Sequence, residues 1–356
     1  MKRCKKCCMP NTRPDHVFVD NVCPACRNRE PKVDWESREQ ELLQLLDKHD
    51  GRCIVPSSGG KDSTYQVVKL LELGADPLVV TASTCHLTPI GRLNIDNLAK
   101  YADTIEVSPN KTVRRTLNRL GLEMVGDISW PEHAAIFSTP FRIAVENNIS
   151  LIIYGENPQN QYGGPKGTSE ARTMTQRWTH EFGGFLGLRP SDFVGLEGIT
   201  ERDMHYYTPP NNVGMKGIEA HFLGQYIKWD SRENARIAMQ HGMTQQRPCN
   251  ANWWEWENCD NAQTGIHDHM MYRKYGYGRG ATQLAVDIRE GRVRRKKAMQ
   301  WILKHDGLFP FTYMDVELEE VLDAIGVPLH AFKDILDQFT NWELFYGEQD
   351  WRPLLK

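Results

Sequence analysis

The sequence lacks the features that would mark it as a nucleic-acid-binding, membrane or secreted protein. Its 356 residues contain 43 Lys and Arg against 46 Asp and Glu, and the net charge of −3 offers no overall basic field for nucleic acid. No uninterrupted apolar run reaches the length of a membrane span. The opening stretch "MKRCKKCCMP" also lacks the apolar core of a signal peptide. We therefore expect a cytoplasmic protein with no membrane partner and with nucleic acid as an unfavoured ligand.

Two common enzyme signatures are missing as well. A Walker A phosphate loop would require glycine at position 55 and serine or threonine at position 62, where the sequence has Val55 and Asp62. A glutaminase would require a G-x-C-x-G-type nucleophile elbow or an N-terminal catalytic cysteine, and the sequence shows neither. Cys85 precedes His86, a pairing that suggests a nucleophile, although a cysteine at the end of a strand is more often buried and inert.

Four of the nine cysteines lie in two close pairs, Cys4–Cys7 and Cys23–Cys26, with fifteen residues between the pairs. In a reducing compartment this spacing is typical of a closed tetrahedral zinc site, while free thiols or a redox pair are the alternatives. Four thiolates would leave no open coordination position, so we expect a structural role. Residues 1–31 form a small basic unit that is too short to bury much core, so the metal would supply most of its folding energy.

Residues 32–230 are predicted to form an α/β domain. Strands are indicated at 52–56, 76–83, 104–108 and 151–157, and helices fall between them. This alternation predicts a parallel sheet covered by helices on both faces. The segment at about 160–210 is rich in glycine, proline and aromatic residues, and we expect it to be a substrate-facing insertion. Residues 231–356 are predicted to be mainly helical, with helical stretches at 281–307 and 315–345.

A glycine-rich loop, Ser58-Gly59-Gly60-Lys61-Asp62-Ser63, follows the first predicted strand and precedes a helix. Two glycines allow the backbone to approach an anion closely, and the N-terminus of the helix adds a positive dipole end. The lysine contributes charge and the two serines offer hydroxyl donors. An aspartate in such a turn is explained if it holds a metal ion that is bound to the phosphates. The loop therefore predicts a nucleotide phosphate site.

The stretch "SSGGKDS" resembles the PP-loop of ATP pyrophosphatases, whose signature is S-G-G-x-D-S. Three longer segments are similar to the N-acetyl sugar amidotransferase family, which helps to build the acetamidino sugars of bacterial surface polysaccharides such as lipopolysaccharide O-antigen. They are "GENPQNQYGG" (155–164), "KWDSRENARIAMQHG" (228–242) and "GIHDHMMYRKYGYGRGATQLAVDIREGRVRRKKA" (265–298). One departure is "GATQLA" (280–285), because the family pattern has an acidic residue near Gln283.

The resemblance implies an adenine nucleotide α-hydrolase-like sheet and an enzyme that cleaves ATP to AMP and pyrophosphate. The expected reaction converts the acetamido group of a nucleotide sugar to an acetamidino group, with ATP, Mg²⁺ and Zn²⁺ as cofactors. Ammonia would come from a separate class I glutamine amidotransferase subunit, with or without a barrel-type subunit that conducts the ammonia. Residues Ser58 to Ser63 would bind the phosphates, with Lys61 and Asp62 catalytic and Asp62 also a magnesium ligand.

Further candidate site residues follow the last strand of the sheet and lie in the C-terminal region. Gly155, Glu156 and Asn157 come after a strand, where parallel sheets bind ligands, and we expect them to contact the nucleotide or the reacting amide. A helix-capping carboxylate is the alternative for Glu156. The family match makes His267 and Asp268 catalytic candidates, although a hydrogen-bonding role in the fold is the alternative for both.

Two other functions and two other segments remain open from the sequence. A tRNA thiolation enzyme also combines an N-terminal zinc unit with a PP-loop, and a non-catalytic nucleotide-sensing partner would share the loop.

The Trp-rich segment 250–259 is predicted to pack in the core or to contact a partner, with sugar stacking as a minor alternative. The basic run 292–298 is predicted to face water, although a diphosphate or a partner subunit could bind it.

Overall fold

A computed structural model describes residues 1–14, 16–28, 33–158, 171–210 and 217–356 of the chain. The domain boundary predicted at residues 31–32 and the first part of the predicted insertion, residues 160–170, lie outside the described residues. Most of the resemblance segment 155–164 lies outside them too.

Five parallel strands form the central sheet, which confirms the predicted α/β class. They are β1 (Arg52–Pro56), β2 (Asp76–Ala82), β3 (Thr104–Val107), β4 (Leu151–Tyr154) and β5 (Glu219–Phe222), in the order β3-β2-β1-β4-β5. Ile54 in β1 aligns with Leu78 in β2 and with Ile152 in β4. The sequence did not indicate β5, because "EAHF" is short and has no apolar run from which a buried strand is inferred.

The helices of the described chain are α1 (Pro24–Arg27), α2 (Trp35–Lys48), α3 (Lys61–Glu72), α4 (Pro89–Leu98), α5 (Lys111–Val125), α6 (Trp130–Asn147), α7 (Gln176–Phe182), α8 (Ser231–Gln240), α9 (Thr264–Tyr275), α10 (Arg279–Arg289), α11 (Arg295–His305), α12 (Leu318–Ile325) and α13 (Leu329–Gln338). Short antiparallel hairpins pair β6 (Thr312–Tyr313) with β7 (Val316–Glu317) and β8 (Phe345–Gln349) with β9 (Arg352–Leu355).

Both faces of the sheet are buried under helices, as the predicted alternation requires. Successive side chains of a strand point to opposite faces. Val55 therefore packs with Leu42 and Leu46 of α2 on one face, while Ile54 packs with Phe141 of α6 on the other. All four side chains contributed by β1 and α2 are essentially inaccessible to solvent. This double cover explains why the strands read as continuous apolar runs in the sequence.

The strand order reverses between β1 and β4. The chain leaves β1 and builds β2 and β3 on one side, and then returns through α6 to place β4 on the other side. In open parallel sheets, ligands bind in the crevice that this reversal opens at the carboxyl ends of the strands. The glycine-rich loop follows β1 and Gly155 follows β4, so both predicted ligand segments border that crevice.

The C-terminal region is mainly helical, as predicted, but its boundaries differ from the prediction. The stretch 281–307 is two helices, α10 and α11, because the chain turns at 290–294, where Gly291 has a φ of +71°. The basic run 292–298 was predicted to face water, which describes the exposed Arg292 but not the half-buried Arg295. Arg292 pairs with Asp230, and Arg295 donates from Nε to the backbone oxygens of Cys4 and Cys7.

The segment 171–210 covers α5 and α6. Phe185, Phe193 and Tyr207 pack with the buried Trp130 at the start of α6. Met174 also donates its backbone N–H to the backbone oxygen of Ala220 in β5, at 2.8 Å. Within the described residues, no helix has the length and apolar character needed to cross a membrane.

Candidate functional site

A cavity of about 450 Å³ opens at the carboxyl ends of β1 and β4. Its volume lies in the range of small-molecule sites. The predicted residues on its wall are Ser58, Gly60, Lys61, Asp62, Ser63, Gly155, Glu156 and His267. The predicted insertion contributes no wall residue from its described part, 171–210.

The glycine-rich loop is held in place by close packing against α4. Gly59 has a φ of +79°, a region that side chains disfavour. A Cβ at this position would lie 2.7 Å from the backbone nitrogen of Ile95 in α4, so the residue must be glycine for packing reasons too. Its N–H donates to Ser57 Oγ at 2.9 Å. Gly60 then caps α3, so the loop ends at a helix N-terminus that faces the cavity.

Lys61 is a buried cation surrounded by carboxylates. Its Nζ pairs with Asp62 Oδ2 and lies 4.0 Å from Glu257 Oε1. Burial by itself lowers the pKa of this ammonium, but the surrounding carboxylates outweigh burial and raise the pKa above its ordinary value. Asp62 also accepts from Asn234 Nδ2 at 3.2 Å. The lysine is therefore a fixed positive charge on the cavity wall.

Glu156 lies on the cavity wall after β4. Burial raises the pKa of its carboxyl from 4.5 to about 7, with a further contribution from the Asp62 carboxylate. Lys61 opposes this shift without cancelling it. A carboxyl group with a pKa near 7 exchanges protons readily at neutral pH, as a general acid or base must.

Three predicted residues lie outside the cavity wall. Gly59 lies behind it, against α4. Asn157 is fully buried and donates from Nδ2 to the Ala171 backbone oxygen at 3.3 Å. Asp268 is buried on α9 and forms an ion pair with Arg279, at 2.8 Å between Oδ1 and Nη2. Arg279 itself lines the cavity, so the structure places Asp268 one ion pair away from the wall.

The Trp-rich segment contributes both to packing and to the cavity. Trp253 and Trp254 donate their indole N–H groups to Asp287 Oδ2, at 2.8 and 3.1 Å. Trp256 lines the cavity, with the guanidinium of Arg232 5.2 Å from its ring centre. The prediction of core packing describes Trp254 well, whereas Trp256 faces a site where a ligand could stack.

Gln283 links the backbone of the Trp-rich segment to the Glu257 side chain. Its Oε1 accepts the backbone N–H groups of Trp253 and Trp254, at 2.7 and 3.0 Å. Its Nε2 donates to Glu257 Oε2 at 2.6 Å, which fixes that carboxylate beside Lys61. An acidic side chain at this buried position would accept the same two N–H groups but would repel Glu257.

His267 of α9 belongs to a group that the sequence did not connect. Its Nδ1 lies 2.7 Å from Asp127 Oδ1, and Asp127 Oδ2 lies 3.6 Å from Nδ1 of His133. Burial lowers the pKa of His267, but the Asp127 carboxylate outweighs burial and raises it. Both histidines line the cavity. His269 points elsewhere, as expected for positions two apart on a helix, and its Nε2 accepts from Arg273 Nε.

The four-cysteine cluster, Cys4, Cys7, Cys23 and Cys26, could hold a zinc ion. The ligand atoms all lie within 4.8 Å of one another, and the Cys7 and Cys23 sulfurs are 3.6 Å apart. A tetrahedral zinc site with Zn–S bonds of about 2.3 Å places its sulfurs about 3.8 Å apart. Cys4 Sγ also accepts the backbone N–H groups of Cys7 and Cys23, which favours its thiolate form.

Sequence reasoning missed the residues that reach the cavity from distant parts of the chain. They include Glu132, His133, Glu257 and Arg279, and Asn234 contacts the wall residue Asp62 from behind. Glu132 and His133 share α6, while the others come from separate elements, and only the fold brings them together. Asn234 and Arg279 lie in the resemblance segments 228–242 and 265–298, but nothing in the sequence singled them out. One signal was present: Glu257 and Trp256 lie in the Trp-rich segment, whose polar residues alternate with aromatic ones.

Comparison with known proteins bears on the C-terminal region. A search of curated proteins finds no match to the chain. The matched family is described as "LPS biosynthesis protein WbpG-like, C-terminal domain", over residues 250–356. That range includes the segment 265–298, which carries the resemblance found in the sequence, and it supplies Glu257 and His267 to the cavity. Residues 250–356 are therefore similar to the C-terminal domain of a lipopolysaccharide biosynthesis family, which agrees with the expected relationship to bacterial polysaccharide synthesis proteins.

Proposed function

We propose that the chain is an AMP-forming amidotransferase of lipopolysaccharide biosynthesis, which converts an acetamido group of a nucleotide sugar to an acetamidino group. One observation carries the proposal. The glycine-rich loop and the region that matches the lipopolysaccharide biosynthesis family line the same cavity. The predicted phosphate loop and the region that matches the family thus border one space of small-molecule size, which supports the proposal.

The chemistry requires activation, because resonance with nitrogen makes an acetamide carbonyl a poor electrophile. Attack of the acetamido oxygen on the α-phosphorus of ATP forms an O–P bond and breaks the α–β bond, which releases pyrophosphate. Ammonia then attacks the imidate carbon, the C–O bond to AMP breaks, and one proton leaves the new nitrogen. The products are an acetamidine, AMP and pyrophosphate.

The residues on the cavity wall fit these requirements. The N–H groups at the start of α3 and the Lys61 ammonium would bind and orient the phosphates, where negative charge builds up. Glu156, with its pKa of about 7, would take the proton that leaves the attacking nitrogen. Trp256 offers a flat apolar face on which a base or sugar ring could stack.

Two metal ions belong to this proposal. Asp62 and Glu257 provide oxygen ligands of the kind that Mg²⁺ prefers, and they would hold the ion that neutralises the phosphate charge. Mg²⁺ at Asp62 would compete with the Asp62–Lys61 ion pair and free the lysine for the phosphates. Zn²⁺ in the four-cysteine cluster would be structural, because this cluster packs against α10 and α11 rather than on the cavity wall.

Ammonia would be supplied by a separate class I glutamine amidotransferase subunit, with or without a barrel-type subunit that conducts it. The sequence has no glutaminase nucleophile pattern, and Cys85 is a poor substitute. Burial raises the pKa of the Cys85 thiol above its ordinary value, and its sulfur accepts from Arg114 Nε at 3.0 Å. The purified chain should therefore use ammonium salts and not glutamine.

A tRNA thiolation enzyme is less well supported by the described residues. Such an enzyme usually needs a further cysteine set for sulfur transfer or an iron–sulfur cluster. Within the described chain, the four-cysteine cluster is the one group of three or more neighbouring ligands that contains thiols. The net charge of −3 also disfavours tRNA as a ligand.

The test is incubation of the chain with ATP, Mg²⁺, ammonium and candidate UDP-diacetamido sugars, followed by mass spectrometry. We expect one oxygen of the sugar to be replaced by NH, with AMP and pyrophosphate formed in equal amounts. With an ¹⁸O-labelled acetamido group, the label should appear in AMP. Accumulation of ADP, or AMP without label, contradicts the proposal.

Matched lysine variants show whether the reaction takes place in this cavity. Lys61→Met removes the buried cation, and we expect at least a 100-fold loss of kcat, since charge stabilisation of this kind contributes about 10²–10³. Lys69→Met changes a lysine of the same helix that pairs with Glu72 at the surface. Its activity should equal that of the wild type.

A further inference from the structure

A cluster of three potential metal ligands lies on the cavity wall, apart from the glycine-rich loop. Asp127 lies between α5 and α6, His133 is in the first turns of α6, and His267 is on α9. One ligand atom from each group lies within 4.8 Å of the other two. Three separate elements therefore converge on one point, which local hydrogen bonding along a single helix does not explain.

The distances are close to those of a coordination site. Asp127 Oδ1 is 2.7 Å from His267 Nδ1, and Asp127 Oδ2 is 3.6 Å from His133 Nδ1. Ligand atoms bound to one tetrahedral ion at about 2.1 Å lie about 3.4 Å apart. Asp127 thus reaches one histidine with each of its two carboxylate oxygens, and an ion held by the three groups would draw both rings onto the carboxylate.

One nitrogen of the cluster makes no hydrogen bond of ordinary length to another side chain that the structure describes. Nδ1 of His133 is buried and has no hydrogen-bond partner among the described residues. Gly184, with a φ of +81°, packs against this ring, and a Cβ there would lie 2.7 Å from the same nitrogen. Asp127 is itself 4% exposed and is oriented by the Ser129 N–H at 2.9 Å. The 3.6 Å between this nitrogen and the buried Asp127 carboxylate is too long for a direct hydrogen bond, and an ion bound by both groups would satisfy them.

We propose that Asp127, His133 and His267 bind a divalent transition-metal ion of the Zn²⁺ or Fe²⁺ class on the cavity wall. Two imidazoles and one carboxylate suit these ions, whereas Mg²⁺ prefers oxygen ligands alone. Three protein ligands leave coordination positions open, and both histidines face the cavity. The ion would accept an oxygen of a ligand bound there. This site is separate from the four-cysteine cluster and does not depend on the proposed amidotransferase reaction.

The test is metal content of the full chain, measured by elemental mass spectrometry after equilibration with Zn²⁺ and removal of loosely bound ion. Wild-type protein should retain one equivalent more than either His133→Ala or His267→Gln. His330→Ala, which removes an exposed imidazole on α13, should retain as much as the wild type. Equal metal content in wild type and both cluster variants overturns the proposal and leaves a hydrogen-bonded Asp–His pair.

The fold of the variants is checked on the same samples by circular dichroism and by metal retained in the four-cysteine cluster. If both variants unfold, the absorption spectrum of Co²⁺ bound to the wild type shows whether the ion is held by histidine and carboxylate or by thiolates. A bound equivalent with ligand-field bands but no thiolate charge-transfer absorption supports the site. Binding of Co²⁺ with thiolate absorption alone overturns it.

Discussion

Substitution of Gly59 by alanine tests how the glycine-rich loop is built. Alanine at a φ of +79° costs about 1–2 kcal/mol of backbone strain. The new Cβ would also lie 2.7 Å from Ile95 N and 2.9 Å from Asn94 C, which are backbone atoms of α4. Overpacking of this kind costs about 1–3 kcal/mol more. We therefore expect Gly59→Ala to lower the free energy of unfolding by about 3 kcal/mol.

Two other glycines separate the strain from the clash. Gly74 has a φ of +81° with no atom within 4 Å of an added Cβ, so Gly74→Ala should cost about 1 kcal/mol from strain alone. Gly60 has an ordinary φ of −73°, and its added Cβ would meet nothing closer than Ser58 Oγ at 3.5 Å. Gly60→Ala should leave stability unchanged but weaken ATP binding, because this residue lines the cavity.

The assay is the urea midpoint of each variant, measured by circular dichroism, together with ATP binding by calorimetry. The expected order of stability is wild type and Gly60→Ala, then Gly74→Ala, then Gly59→Ala. If Gly59→Ala is as stable as Gly74→Ala, the loop does not pack against α4 and the reasoning is refuted. If Gly60→Ala binds ATP as well as the wild type, the loop is not the phosphate site.

Three further predictions concern buried charges and the four-cysteine cluster. The pKa of Glu156 is raised from 4.5 to about 7 in the folded protein, so the wild type loses stability as pH rises through that interval. Glu156→Gln lacks this loss, and its stability relative to wild type should increase from pH 4.5 to above 7. Gln283→Glu removes a donor from Glu257 and buries a second carboxylate beside it, which should destabilise the protein by about 3 kcal/mol. Arg295→Ala frees two backbone oxygens of the four-cysteine cluster, and a chelator should then remove zinc faster.

Each of these predictions has a control and an outcome that contradicts it. Urea midpoints across pH test the first, and a constant difference between Glu156→Gln and wild type would contradict the raised pKa. Gln245→Glu, at an exposed position, is the control for the second and should be neutral. Lys296→Ala, an exposed neighbour, is the control for zinc release, and equal release rates for it and Arg295→Ala would contradict the third.

The interior of the sheet and the position of the glycine-rich loop before a helix were predictable because the sequence signals for them are local. Four strands could be assigned because buried parallel strands are short apolar runs between helices, as in "CIV" of β1. The strand β5 was not predicted, because "EAHF" is polar at two of four positions and joins the sheet through backbone pairing with β4. The turn at 290–294 was not predicted, because one glycine in a charged stretch is a weak signal for a helix end.

The sequence by itself determined the α/β class, the pairing of cysteines at zinc spacing and the loop that favours anions, because each depends on neighbours within a few residues. Only the tertiary structure decided which distant side chains share the cavity. Lys61 lies beside Glu257, which is 196 positions away in the sequence. His267 lies beside Asp127 and His133, which are 140 and 134 positions away. Such contacts arise when helices pack against a sheet, and no local pattern of residues encodes them.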